Sequence, residues 1–121
     1  MSLDAAVRRR YERQILLDEI GETGQTRLLA ARFRRGAGGD SGAYAVAVEY
    51  LERAGCSSDD AGVDLRVPPP EAVMRFAGCS ALREPAAAVM GAFAAVEHLK
   101  QVLGIASARE LPPDLSLSTE T

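Results

Sequence analysis

The sequence predicts an α/β domain with a helical N-terminus, one strand–helix–strand unit and a long C-terminal helix. Three observations predict it. Residues 31–35 (Ala-Arg-Phe-Arg-Arg) run into a glycine-rich turn and then a helical pattern; residues 63–67 (Val-Asp-Leu-Arg-Val) alternate with period two; and residues 84–103 carry apolar side chains at helical spacing. Strand, glycine turn, helix and strand in that order make a single βαβ unit over 31–67.

Each element has a local cause. Asp4 is placed to cap a first helix running toward Gln14, with Val7, Tyr11 and Ile15 on one stripe. Gly21 and Gly24 break that pattern, and 25–31 reads as a second short helix burying Leu28 and Leu29. Arg32, Arg34 and Arg35 mark the first strand as an edge or half-exposed one, because a central parallel strand is normally apolar on both faces. Ala43, Ala47 and Leu51 share one face of a helix over 43–54, and Gly55 ends it. A polar loop spans 56–62. The prolines at 68–70 stop the second strand, and Pro70 opens a short helix to Ala77, since the first helical position tolerates proline.

Glu84-Pro85 opens the longest helix, through Leu103, with Val89, Phe93, Val96 and Leu103 as its apolar stripe and Gly104 at its close. Glu97 and Lys100 read as a surface pair at i, i+3, and His98 as a surface residue. Residues 1–104 therefore form one domain, and 105–121, with Pro112-Pro113 and a Ser/Thr-rich end, a flexible tail that is mobile or laid over the surface.

Composition narrows the function classes. The 121 residues carry a net charge of −3, with nine basic against eight acidic side chains up to Arg53 and five against nine after it. Neither half presents a basic surface overall, which argues against nucleic-acid binding. No apolar run approaches the roughly 18 residues of a membrane span. The first residues lack the order of a signal peptide, because Arg8, Arg9 and Arg10 precede no long apolar block. Cys56 and Cys79 stand alone without a CxxC pair; with His98 they fall one short of a four-ligand zinc site. The expectation is a cytoplasmic protein with two free thiols and no metal.

Two segments carry a resemblance. The first is Arg10-Tyr11-Glu12-Arg13-Gln14-Ile15-Leu16-Leu17 followed by Gly21-x-x-Gly24-Gln25, leading to Gly36-x-Gly38-Gly39. The second is Pro85-x5-Gly91 with Ala95-x-Glu97-x-x-Lys100-x-x-x-Gly104. Together they resemble the ThiF/MoeB/HesA family, the E1-like enzymes that adenylate the C-terminus of a ubiquitin-like or sulfur-carrier protein. The resemblance covers under half of the chain. It implies a reduced Rossmann-like E1 fold from which the family's catalytic middle is missing. The segments that hold ATP and magnesium in that family, its nucleotide-binding lysine and its zinc-binding CxxC pairs have no counterpart here.

The candidate site residues follow. Gly36, Gly38, Gly39 and Gly42 are a candidate phosphate loop, because glycine amides at a helix N-terminus approach phosphate without side-chain interference. Asp40 puts a negative charge where phosphates would sit, so a relict or structural turn is the competing reading. By the resemblance, Arg13 occupies the position that reaches across a dimer interface toward a partner's ATP, as a trans-acting arginine finger does. Cys79 lies upstream of Pro85, roughly where some family members carry a cysteine, with Arg75 and Arg83 as the groups able to activate it.

Three functional expectations result. The first is a non-catalytic dimerisation or accessory subunit, working as a homodimer or with a full-length E1-like protein or a sulfur-carrier protein, and needing no cofactor. The alternative is a minimal ATP/Mg-binding adenylyltransferase using residues 36–42, with Arg34 or Arg35 on phosphate. A thiol-transfer role for Cys79 is the third.

Overall fold

A computed structural model describes residues 3–36, 42–105, 109, 111, 112 and 114–118. Phe33 sits at its centre, fully buried in β1 (Arg32–Arg35), while Arg32, Arg34 and Arg35 around it are exposed. β1 is the middle strand of a three-stranded parallel sheet, flanked by β2 (Ser57–Ser58) and β3 (Val63–Leu65) in the order β2-β1-β3. Arg32 pairs with Ser57, and Phe33 with Ser58 on one side and Val63 on the other. The strand is thus half-exposed as its arginines predict, but it is central and not at an edge.

Its two neighbours come from one short stretch of chain. Residues 59–62 carry the backbone from one side of β1 to the other. Gly62 passes so close that a Cβ there would lie 2.7 Å from the Arg32 carbonyl carbon. The sequence predicts a loop over 56–62 and a strand to Val67, whereas Ser57–Ser58 pair with β1 and β3 ends at Leu65. Two-residue β2 is held by backbone pairing alone, Ser57 N–H donating to the Ala31 carbonyl and Asp59 N–H to that of Phe33.

Helices cover the Phe33 face. α1 (Ala5–Arg10) is capped by Asp4, whose carboxylate accepts the Val7 N–H at 2.9 Å. It ends at Tyr11, where α2 (Glu12–Ile15) begins, so the predicted single helix is bent at that residue. α3 (Gly21–Ala30) starts four residues earlier than the helix predicted over 25–31 and includes Gly21 and Gly24, the expected breaks before it. Gly24 is buried within it, and a Cβ there would lie 3.1 Å from both Ile20 and Leu103 side chains, so it serves packing and not termination. Leu28 is buried and Leu29 half-buried.

α4 (Ala43–Ala54) and α5 (Pro70–Ala77) take the predicted bounds, because a left-handed Gly55 and the first-turn Pro70 punctuate them. α6 (Arg83–Leu103) follows a single 3-10 turn, Ser80–Leu82. α6 lies across α4 through small side chains: Ala43 and Ala47 on one helix, Ala87, Gly91, Ala94 and Ala95 on the other, all buried. At Gly91 a Cβ would come 2.7 Å from the Val46 Cβ and inside contact of the Ala43 carbonyl oxygen. That crossing requires glycine.

This crossing overturns the expected orientation of α6. Val89 and Val96, assigned to the core, are 44% and 52% exposed, and Phe93 is half-buried. The core face instead holds Ala86, Ala87, Met90, Gly91, Ala94, Ala95, Glu97 and His98. His98 and Glu97 are therefore buried and not at the surface. Small residues carry little hydropathy but allow close helix approach, and here close approach decides the packing.

The described part of the C-terminal segment runs over α5: Leu117 N–H donates to the Phe76 carbonyl at 2.7 Å, and Leu111 packs against the core. Among the described residues no helix is long and apolar enough to cross a membrane.

Candidate functional site

In a parallel sheet, ligand chemistry is expected beyond the carboxyl ends of the strands, where a following helix points its N-terminus. A shallow cleft of about 560 Å³ lies there. Phe33, Arg34 and Arg35 of β1 form one wall, Tyr44 of the first turn of α4 another, and Ser58, Asp59 and Asp60 the third. Sequence reasoning named Arg34 and Arg35 but missed Tyr44, Asp59 and Asp60. Tyr44 reaches it from the first turn of α4, and Asp59 and Asp60 only because β2, which has no side-chain signature, pairs with β1.

Arg34, Arg35 and Asp59 each have a partner in or beside the cleft. Arg34 is ion-paired through Nε to Asp64 of β3, and that hydrogen-bonded carboxylate raises the guanidinium pKa further above its usual value. Its Nη1 donates to the Asp60 carbonyl at 3.4 Å. The Arg35 guanidinium stacks 4.9 Å from the Tyr44 ring centroid, a cation–π geometry that orients both. Asp59 turns its carboxylate back on its own loop, accepting the Ala61 N–H at 2.8 Å. Two arginines and two aspartates leave the rim without the strongly positive field that a polyphosphate calls for.

Of the predicted phosphate-loop glycines, Gly36 and Gly42 are described, while Gly38 and Gly39 lie outside the described residues. Gly36 N–H donates to the Leu65 carbonyl at 3.2 Å, extending the β1–β3 pairing, and a Cβ there would come 2.8 Å from that oxygen. Its amide is committed to the sheet. Gly42 is the exposed N-cap of α4, with φ of 82°, a conformation that favours glycine.

Arg13 is not brought to this cleft. It is exposed on α2, and among the described residues it makes no ion pair. Its neighbour Gln14 donates to the Ala54 carbonyl at 3.1 Å, at the C-terminal end of α4. The cleft is at the other end of that helix, about 18 Å away at 1.5 Å per residue. Arg13 therefore does not contribute to this cleft.

No family model, curated protein or solved structure matches this chain. The assignment of its residues rests on its own geometry.

Gln14 and Gln25, in the sequence only letters of the motif, make a buried polar contact. Gln14 Nε2 donates to Gln25 Oε1 at 2.7 Å, and Gln25 Nε2 donates to the Ala54 carbonyl at 3.1 Å. Gln25 is fully buried, so these bonds satisfy an amide that would otherwise be costly to remove from water. The adjoining basic residues are tied less deeply: Arg8 bonds Glu22 at 2.7 Å, and Arg10 lies 5.5 Å from the Tyr11 ring centroid.

The remaining candidates are dispersed. Cys79 is half-buried between α5 and the 3-10 turn, in extended backbone, and both cysteines are free. Cys56 is buried, and burial pushes its thiol up to about 11 despite the opposing charge of Arg32. His98 packs edge-on to Phe33 at 6.4 Å between ring centroids, and burial lowers its pKa. Lys100 Nζ lies 2.7 Å from Glu97 Oε2 and donates to Oε1 at 3.1 Å, so the buried carboxylate is paired. Among the described residues no group of three His, Cys, Asp or Glu side chains is placed to hold a metal ion.

Proposed function

We propose that this chain is a non-catalytic accessory or dimerisation subunit, built on a reduced Rossmann-like relative of the ThiF/MoeB/HesA fold. The observation that carries this reading is the division of labour within the opening segment. Tyr11, Gln14 and Gln25 face inward and knit the N-terminal helices to α4, while Arg13, in the same segment, is left outside. A segment whose inner half is structural and whose outer half is a cation fits a surface offered to another protein. On this reading Arg13 completes the phosphate site of a full-length E1-like partner. The committed amide of Gly36 and the partnered Arg34, Arg35 and Asp59 of the cleft support the non-catalytic half.

The test has two arms. Isothermal titration of the isolated protein with ATP and magnesium is expected to give no heat of binding. Micromolar binding that disappears in Gly38→Val would favour a minimal adenylyltransferase instead. Added to a full-length E1-like enzyme of its host, the chain is expected to raise ATP–pyrophosphate exchange. Arg13→Ala is expected to lose that gain while leaving stability unchanged; equal stimulation by the variant would rule out the trans role.

A further inference from the structure

The last carbonyls of a helix have no intrahelical donor and must be served from elsewhere. At the end of α5, the Gly78 N–H serves Met74, while the Phe76 carbonyl is served by Leu117 of the distant C-terminal segment at 2.7 Å. The same segment crowds the side of Gly78 from which a side chain would project. A Cβ there would fall 2.8 Å from Ser116 Oγ and inside contact of the Ser118 Cβ. Gly78 has a φ of 78°, a left-handed conformation that asparagine also tolerates. The helix end alone therefore accepts asparagine. The close approach of Ser116 and Ser118 is what demands a residue without a side chain.

We infer that residues 111–118 are a strap that closes over the junction of α5 with the 3-10 turn and opens as a unit. Leu111, packed against the core, is its anchor. Pro112-Pro113 follow the anchor, and consecutive prolines restrict the backbone that leads to the latch. The latch carries its own bends: Leu115 N–H donates to the Pro112 carbonyl at 3.1 Å and Ser118 N–H to Ser116 Oγ at 3.2 Å. These bonds lie within the strap and survive its release.

The closed strap leaves its leucines largely outside, Leu115 46% and Leu117 36% exposed. Closing therefore withdraws little apolar area from water, and such segments open locally at far lower cost than the core. Opening frees the Phe76 carbonyl and uncovers Gly78 and the residue after it, Cys79. That thiol, half-buried where α5 meets the 3-10 turn, reports where the strap is. The strap depends neither on the E1-like lineage nor on Arg13. It makes the end of α5 a surface that the chain itself covers and uncovers.

The test follows alkylation of Cys79 by iodoacetamide in the intact folded chain, read by mass spectrometry. Leu117→Pro removes the donor to Phe76 and changes no residue of the folded body. It is expected to speed alkylation about fivefold, the net effect of one hydrogen bond on the open fraction. Gly78→Asn keeps the left-handed helix end but fills the seat of the latch, and is expected to speed alkylation at least as much. Both variants are expected to keep the wild-type circular dichroism spectrum. Unchanged alkylation in Leu117→Pro would overturn the strap, as would a wild-type Leu117 amide that exchanges with deuterium as fast as an unstructured peptide's. Should Gly78→Asn lose its fold, Leu117→Pro and the exchange measurement decide alone.

Discussion

Gln14 and Gln25 lie eleven residues apart on different helices, yet their side-chain amides meet at 2.7 Å and both donate to the single carbonyl of Ala54. Three helices are joined at that oxygen. Removing Gln25 leaves a cavity and a disrupted buried network, so Gln25→Ala is expected to cost about 2 kcal/mol in urea unfolding. Gln14→Ala, being half-buried, is expected to cost about 1 kcal/mol. The double mutant should show a coupling of roughly 1 kcal/mol, and strict additivity would mean that the two amides do not cooperate.

Gly91→Ala tests the α4–α6 crossing. In an exposed helix this change would stabilise by up to about 1 kcal/mol through helix propensity. Here the added methyl meets the Val46 side chain at 2.7 Å and the Ala43 carbonyl, so overpacking of about 1–3 kcal/mol should prevail. A lower melting temperature is the expected outcome, and a raised one would show that the helices are farther apart.

His98 gives the protein a pH dependence of defined sign. Burial lowers its folded-state pKa below the unfolded value of about 6.5, so the unfolded chain binds the proton more readily. The stabilisation is complete above the unfolded pKa and declines as pH falls from there toward the folded pKa, at no more than about 1.4 kcal/mol per pH unit. Chemical denaturation between pH 7.5 and 5 should reveal this slope, and His98→Gln should flatten it.

The two thiols are expected to separate by reactivity. With its pKa pushed up to about 11 and its side chain buried, Cys56 should resist iodoacetamide at neutral pH in the folded protein. Mass spectrometry of native protein should find adduct only at Cys79, and of urea-unfolded protein at both. Rapid native labelling of Cys56 would contradict the packing of the β1–α4 region.

Much of the fold was legible where glycine and proline punctuate it. Gly55 and Pro70 gave the bounds of α4 and α5 correctly, and the alternation over 63–67 gave β3, two residues too long. What escaped had physical reasons. β2 is two serines whose pairing is entirely backbone, and α6 carries two apolar faces. Val89, Phe93 and Val96 dominate any hydropathy reading of that helix, whereas Ala87, Gly91 and Ala94 win the core because they admit α4 closely. Of the cleft, the arginines of β1 were legible, but Asp59 and Asp60 join it only through the strand that left no signal. Gln14 and Gln25 were visible as letters of a motif, and their bond to each other was not.

The stepping of residues 59–62 over β1 also bears on how the protein avoids misassembly. The longest strand has partners on both sides, and the outer strands are two and three residues long. Edges that short offer little template for another chain's backbone, a common protection against strand-by-strand aggregation and domain swapping. Nine consecutive residues, 57–65, thus supply both edges of the sheet and keep each of them short.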